Sequence, residues 1–134
     1  MNTIEEIMDE ILKFRDDRDW KQFHTPKDLA ISISLEAAEW LEIFQWSGTD
    51  LKAEDKRDRI EEELADVLIY CFLMADAARV DIDEIIARKL HTNSEKYPTE
   101  KSYGRSDKYT ELSLFVIRRS NCDSVSEQGK GISR

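Results

Sequence analysis

Two pairs of acidic residues stand at the same spacing in this sequence. Glu36 and Glu39 form one pair, Glu63 and Asp66 the other. Helix positions three apart share a face, so each pair presents two carboxylates side by side. From Glu39 the stripe runs on through Ile43 to Trp46, and from Asp66 through Tyr70 to Leu73. The acids therefore head stripes that turn apolar and aromatic. Like charges one turn apart repel, and partial burial sharpens the repulsion. A cation between them removes that cost. The donors are all hard oxygens, which suit Mg²⁺ or Mn²⁺. On facing helices the two pairs would make one four-carboxylate site. Zinc is disfavoured: Cys71 and Cys122 lack ligand spacing, and His24 and His91 have no paired partner. A di-iron bundle needs Glu-x-x-His, which does not occur in the sequence. Acids at this spacing also decorate ordinary solvated helix faces, so spacing alone leaves both readings open.

Four helices are expected to position these residues. Thr3 and Glu6 make a capping box, followed by Ile4, Ile7, Met8, Ile11, Leu12 and Phe14 at helical spacing. This first helix should fade near Asp19 or Trp20. Thr25 caps a second helix, with Pro26 at its first position and Asp28 in its first turn. It should run to about Trp46, where Ser47-Gly48-Thr49-Asp50 is a stop. A third helix is expected from about Glu54 to Arg79. Its second half, Leu64 to Ala78, is apolar on nearly every side, so several neighbours must cover it, another subunit among the candidates. Asp81 and Glu84 look like the cap of a fourth helix that ends at Lys96, before Tyr97-Pro98. Helical periodicity disappears from Thr99, and Leu112 to Ile117 reads as a short strand or docked extended segment. The expected organisation is one all-α, four-helix bundle-like domain over 1–112 and a polar, partly irregular C-terminal tail over 113–134.

Composition narrows the function. With 134 residues the chain has room for one core. Charged residues make up 37% and hydrophobic ones 40%, too apolar for a fully disordered chain. Four Gly and two Pro are too few for a fold of many short strands. The two Cys fit a reducing cytoplasm better than a disulfide scaffold. A net charge of −9 argues against nucleic acid as a partner. The segment MNTIEEIMDE has neither the basic nor the apolar region of a signal peptide. The apolar run Val67 to Ala75 is far short of the ~20 residues a membrane helix needs. The sequence thus points to a soluble cytoplasmic protein without a membrane partner.

Around the acids the residues are distinctive. Arg18-Asp19-Trp20-Lys21-Gln22-Phe23-His24-Thr25-Pro26, Leu29, Phe44-Gln45-Trp46 and Glu62-Glu63-Leu64-Ala65-Asp66-Val67-Leu68-Ile69-Tyr70 resemble the MazG-like all-α nucleoside triphosphate pyrophosphohydrolases. Within them the sequence is most similar to the dCTP pyrophosphatase branch. Lys89, Thr92-Asn93, Lys96-Tyr97-Pro98 and Lys108-Tyr109-Thr110 are similar to that branch too. The resemblance covers about Ile4 to Leu112. It implies a helical subunit of a homotetramer. It also implies Mg²⁺-dependent cleavage of a nucleoside triphosphate, dCTP or a modified pyrimidine triphosphate, between its α and β phosphates. Glu36, Glu39, Glu63 and Asp66 match the family's metal ligands. Trp20, Gln22, Phe23, His24, Trp46 and Tyr70 match positions lining the nucleotide pocket. Ile11 stands where a relative has a His facing the substrate, so base and sugar preference are not carried over.

On that reading the metal turns an acidic site into a phosphate receptor, and Glu36 or Glu39 takes the proton of the attacking water. Lys89 and Lys96, with Asn93 between them on one helical face, are expected to grip the triphosphate, joined by Arg105 and Lys108. Trp20, Phe23, Trp46 and Tyr70 offer faces on which a base can stack. Two other readings stay open: a helical module that binds nucleotides without hydrolysing them, and a partner-binding bundle whose acids are simply solvated.

Overall fold

The computed structural model describes residues 3–112. Among these residues every regular element is helical and no strand occurs. Helices α1 (Ile4–Asp16), α2 (Pro26–Glu42), α3 (Arg57–Ala78), α4 (Ile82–Lys96) and α5 (Thr99–Ser102) follow in order. Short 3₁₀ turns at Trp20–Phe23 and Glu54–Lys56 join the first three. The chain divides into two compact units, Met1–Ile82 and Asp83–Arg134.

The helix starts are chemically explicit. The Thr3 backbone N–H donates to Glu6 Oε2 at 2.8 Å, and Glu6 N–H donates back to Thr3 Oγ1 at 3.2 Å. This capping box satisfies two donors that the first turn leaves open. At α2, Thr25 Oγ1 accepts from Asp28 N–H at 3.2 Å, with Pro26 in the first turn.

The ends depart from expectation. Helix α2 stops at Glu42 and not near Trp46. Beyond it Phe44, Gln45 and Ser47 donate to carbonyls three residues back, so the chain tightens and leaves the helix a turn early. Lys56 Nζ donates to the Ile43 carbonyl at 3.2 Å, meeting one of the acceptors exposed there. Gly48 adopts a left-handed φ of +59°, as the stop signal requires. Asp50 Oδ1 then accepts from Lys52 and Ala53 N–H, an Asx turn that carries Ala53 into a buried left-handed position. Residues expected to open the third helix, Glu54–Lys56, form the 3₁₀ turn, and α3 starts at Arg57. Arg79 closes α3 with a left-handed cap, donating to the Asp76 carbonyl at 3.1 Å.

In the first unit α2 packs along α3, and α1 also rests on α3. Leu29 and Ile43 are fully buried; Ala53, Leu73 and Ala75 complete the apolar interior. Much of the apolar surface of α2 and α3 stays uncovered: Leu35 is 58% exposed, Leu41 71% and Leu68 49%.

In the second unit α4 ends at Lys96, and the chain past Thr99 is more helical than its composition suggests. Ser102 and Tyr103 donate to the carbonyls of Pro98 and Thr99 at 3.1 and 3.0 Å, closing α5. Leu112 is buried within a further helical turn, donating to the Lys108 carbonyl at 3.2 Å, where a strand was one expectation. Tyr97 and Tyr109 meet edge to face at 6.0 Å, and Lys96 Nζ lies 5.3 Å from the Tyr109 ring centre. The rest of the expected strand and tail, 113–134, lies outside the described residues. No helix among the described residues is long and apolar enough to cross a membrane.

Candidate active site

Packing α2 against α3 brings the acidic pairs together. Glu36 and Glu39 project from α2 and Glu63 from α3, and one carboxylate oxygen from each lies within 4.8 Å of the others. Glu36 and Glu63 are half-buried, Glu39 exposed. Asp66, half-buried one turn beyond Glu63, falls outside this triangle, but its charge reaches Glu36 and Glu63. The electrostatics are those of a strained cluster. Burial pushes the Glu36 carboxyl above its ordinary value, and the carboxylates of Glu39, Asp66 and Glu63 push it the same way. Burial also raises Glu63, with Glu39, Glu62 and Asp66 adding to it and Arg59 opposing.

These donors fit a hard divalent cation. Octahedral Mg²⁺ holds oxygens at roughly 2.1 Å, so its ligands lie up to about 4.2 Å apart. Oxygens within 4.8 Å of one another are near that size, and a cation there would offset the repulsion that adds to burial in raising Glu36 and Glu63. Tyr70 follows Asp66 by one turn of α3 and is half-buried.

The aromatic candidates divide by setting. Trp20 opens the 3₁₀ turn after α1 and stands edge to face on Phe14, with ring centres 6.0 Å apart. Arg18 lies over Phe14 at 3.6 Å and donates to the Phe14 carbonyl at 2.9 Å. Trp20 and Phe23 keep open faces, and Trp46 is 86% exposed past the end of α2. Gln22 turns inward on its own loop: Nε2 donates to the Asp19 carbonyl at 3.0 Å and to Asp19 Oδ2 at 2.7 Å. These bonds brace Asp19, which holds a left-handed φ of +54°. His24 closes the turn. Its Nδ1 is shielded from solvent with no hydrogen-bond partner among the described residues. Burial, then the Arg15 guanidinium, hold the imidazole below its usual pKa, so it favours the neutral form.

The basic candidates belong to the second unit. Lys89, Asn93 and Lys96 share the α4 helix, with Asn93 half-buried and its carbonyl accepting from Tyr97 N–H at 2.8 Å. Lys96 rides over Tyr109. Arg105 Nε donates to Asp107 Oδ2 at 2.8 Å, and the Lys108 carbonyl accepts from Glu111 and Leu112.

One buried charge has no counterpart among the expected residues. Arg15 is 3% exposed; Nε donates to Asp16 Oδ1 at 2.7 Å and Nη1 to Asp76 Oδ2 at 2.5 Å. A signal for it exists in the sequence. Arg15 continues the Met8, Ile11, Leu12 stripe of α1, and Asp76 interrupts the apolar half of α3.

This is an all-helical protein with an acidic, cation-fitting cluster between two packed helices, and the likenesses to known proteins agree with it. The MazG-like family matches residues 31–112. Rat dCTP pyrophosphatase 1 is 36% identical over 140 residues, covering 98% of this chain and 82% of that protein. The human dCTP pyrophosphatase 1 is 36% identical over 115 residues, 82% of this chain and 68% of that protein. The crystal structure of a pyrophosphatase from Archaeoglobus fulgidus superposes with a TM-score of 0.68 at 45% identity, covering 73% of this chain and 94% of that one. The chain belongs to the MazG-like family, and it is an enzyme, a hydrolase of phosphoric anhydrides.

Proposed function

We propose that the protein hydrolyses a nucleoside triphosphate, dCTP or a modified pyrimidine triphosphate, between the α and β phosphates, releasing the monophosphate and pyrophosphate. The observation that carries this reading is the Glu36, Glu39 and Glu63 oxygens gathered within 4.8 Å in a chain 36% identical to dCTP pyrophosphatases. Glu36, Glu39, Glu63 and Asp66 would hold Mg²⁺, or Mn²⁺ in its place. The ion would supply the positive charge that a triphosphate needs in an acidic site and neutralise charge developing at phosphorus.

The chain's own residues do the rest. Glu36 or Glu39 accepts the proton of the attacking water. Trp20, Phe23, Trp46 and Tyr70 offer stacking surface to the base, with Gln22 and His24 fixing the wall of the pocket. Lys89, Asn93, Lys96, Arg105 and Lys108 supply donors for the phosphates. The domain responsible is taken to span 1–112. The exposed Leu35, Leu41 and Leu68 support assembly with further copies, as a homotetramer. The acidic charge and the two-Cys composition support a cytoplasmic protein with no nucleic-acid or membrane partner.

The test is release of pyrophosphate and monophosphate from a panel of deoxy- and ribonucleoside triphosphates, with and without Mg²⁺. Metal-dependent release, strongest for a pyrimidine deoxynucleotide, is expected. Binding without any release identifies a non-hydrolysing nucleotide module and overturns the reading.

A further inference from the structure

The segment Trp20–His24 faces two structural demands. It must stay open on one side, because Trp20 and Phe23 are 43% and 63% exposed. It must also keep a fixed place relative to α3, which carries Glu63 and Asp66. Its polar bonds lead back to the end of α1. Arg18 N–H donates to the Arg15 carbonyl at 3.2 Å, and Asp19 N–H donates to the Asp16 carbonyl at 3.0 Å. Arg18 also bonds the Phe14 carbonyl, and Trp20 leans on the Phe14 ring. The turn therefore moves with the last turn of α1, and Arg15 anchors that last turn to α3 through Asp76.

Arg15 is 3% exposed while Asp76 is 27% and Asp16 53% exposed, and an ion pair with one buried member is a poor way to gain stability but a directional one. Removing water from the guanidinium offsets much of the attraction, and apolar replacements of similar volume often fold as well. The gain is a fixed register, because the planar guanidinium holds its acceptors at set angles. Here the guanidinium spans Asp16 on its own helix and Asp76 on α3, and its field reaches His24.

We infer that Arg15 is a positioning residue of the nucleotide site: paired with Asp76, it fixes the Trp20–His24 wall against the helix bearing Glu63 and Asp66. The inference rests on the proposed triphosphate hydrolysis and adds to it a residue that itself touches neither metal nor substrate. Small displacements of a pocket wall cost binding and orientation out of proportion to the distance moved.

The experiment compares the full-length wild type with Arg15→Met, Arg15→Lys and the double variant Arg15→Met with Asp76→Leu. Steady-state kinetics use the triphosphate that the wild type hydrolyses best. Mn²⁺ binding without nucleotide reports on the acidic cluster. The two imidazole spectra report on His24 and, as an internal control, on exposed His91. Arg15→Met leaves Asp76 unpaired and is the variant at risk of misfolding. The double variant replaces both charges and is expected to keep the wild-type melting temperature within a few degrees. In it KM should rise about tenfold while kcat and Mn²⁺ affinity change less than about twofold. The His24 signal should move and the His91 signal should not. Arg15→Lys should recover part of the loss. A folded double variant with the wild-type KM and an unmoved His24 signal overturns the inference alone. A wild type that releases no pyrophosphate from any triphosphate overturns the functional reading, and this inference with it.

Discussion

Glu63 is the residue at which structure and chemistry meet most directly. It is the α3 member of the carboxylate triangle, and burial and neighbouring acids raise its pKa. Replacing it with Gln removes a charge from a strained cluster, so the helices should be unharmed while cation binding is lost. Glu63→Gln is expected to cut turnover by at least about 100-fold with an unchanged far-ultraviolet circular dichroism spectrum. Full activity would show that the acids are only solvated. His24 gives a pH prediction. Its folded pKa lies below the ordinary 6.5, from burial and then Arg15. Between those two values the unfolded chain binds more protons than the folded one, so stability falls as pH drops through that window. Urea melts at pH 7.5 and 5.5 should show a larger loss for the wild type than for His24→Gln, and equal losses would contradict the assignment. The acids were legible from spacing because i, i+3 geometry is local. That Glu39 joins Glu36 and Glu63 while Asp66 stands outside the triangle depends on how two helices pack, which spacing does not encode.

At the scale of elements, starts were readable and ends were not. Thr3 and Thr25 announce their helices because a cap is a bond between residues three apart, and both bonds are present. The end of α2 is decided by tertiary contacts. Ile43 is buried, its carbonyl accepts from Lys56, and the chain leaves the helix there although Phe44-Gln45-Trp46 continues its apolar pattern. The helical turn that includes Leu112 likewise accompanies burial of that side chain. The Thr25 cap carries extra weight, because it joins the His24 turn to the helix bearing Glu36. Thr25→Ala should cost about 1 kcal/mol in unfolding free energy. Chemical denaturation checks this, and a change under a few tenths would mean that Pro26 alone defines the start.

At the scale of the whole molecule, the apolar character of the central helices was plain in the sequence, while the surface left over became visible only in three dimensions. Along α2, Ile31, Leu35, Ala38 and Leu41 recur at helical spacing, and Ile31 is 49% exposed. A groove lined by Ala38, Leu41, Glu42, Phe44 and Gln45 continues that face. Soluble monomers seldom leave such a row uncovered, since each buried Å² of apolar surface is worth about 25 cal/mol. Leu35 stands one turn before Glu39 on this face, whereas Leu41 lies well round α2 from both Glu36 and Glu39. A second copy presenting the same face would meet like with like, the self-complementary arrangement of a two-fold dimer. Placing charge at Leu41 should separate the copies without touching the carboxylates. The Leu41→Glu variant is therefore expected to scatter light at a lower mass than the wild type at micromolar concentration, with its helical signal and Mn²⁺ binding retained. If the wild type itself scatters as a monomer, these leucines are ordinary exposed surface and the proposed assembly is wrong. If the Leu41→Glu variant dissociates and also loses triphosphate turnover, assembly is part of the working site and not only a means of covering apolar surface.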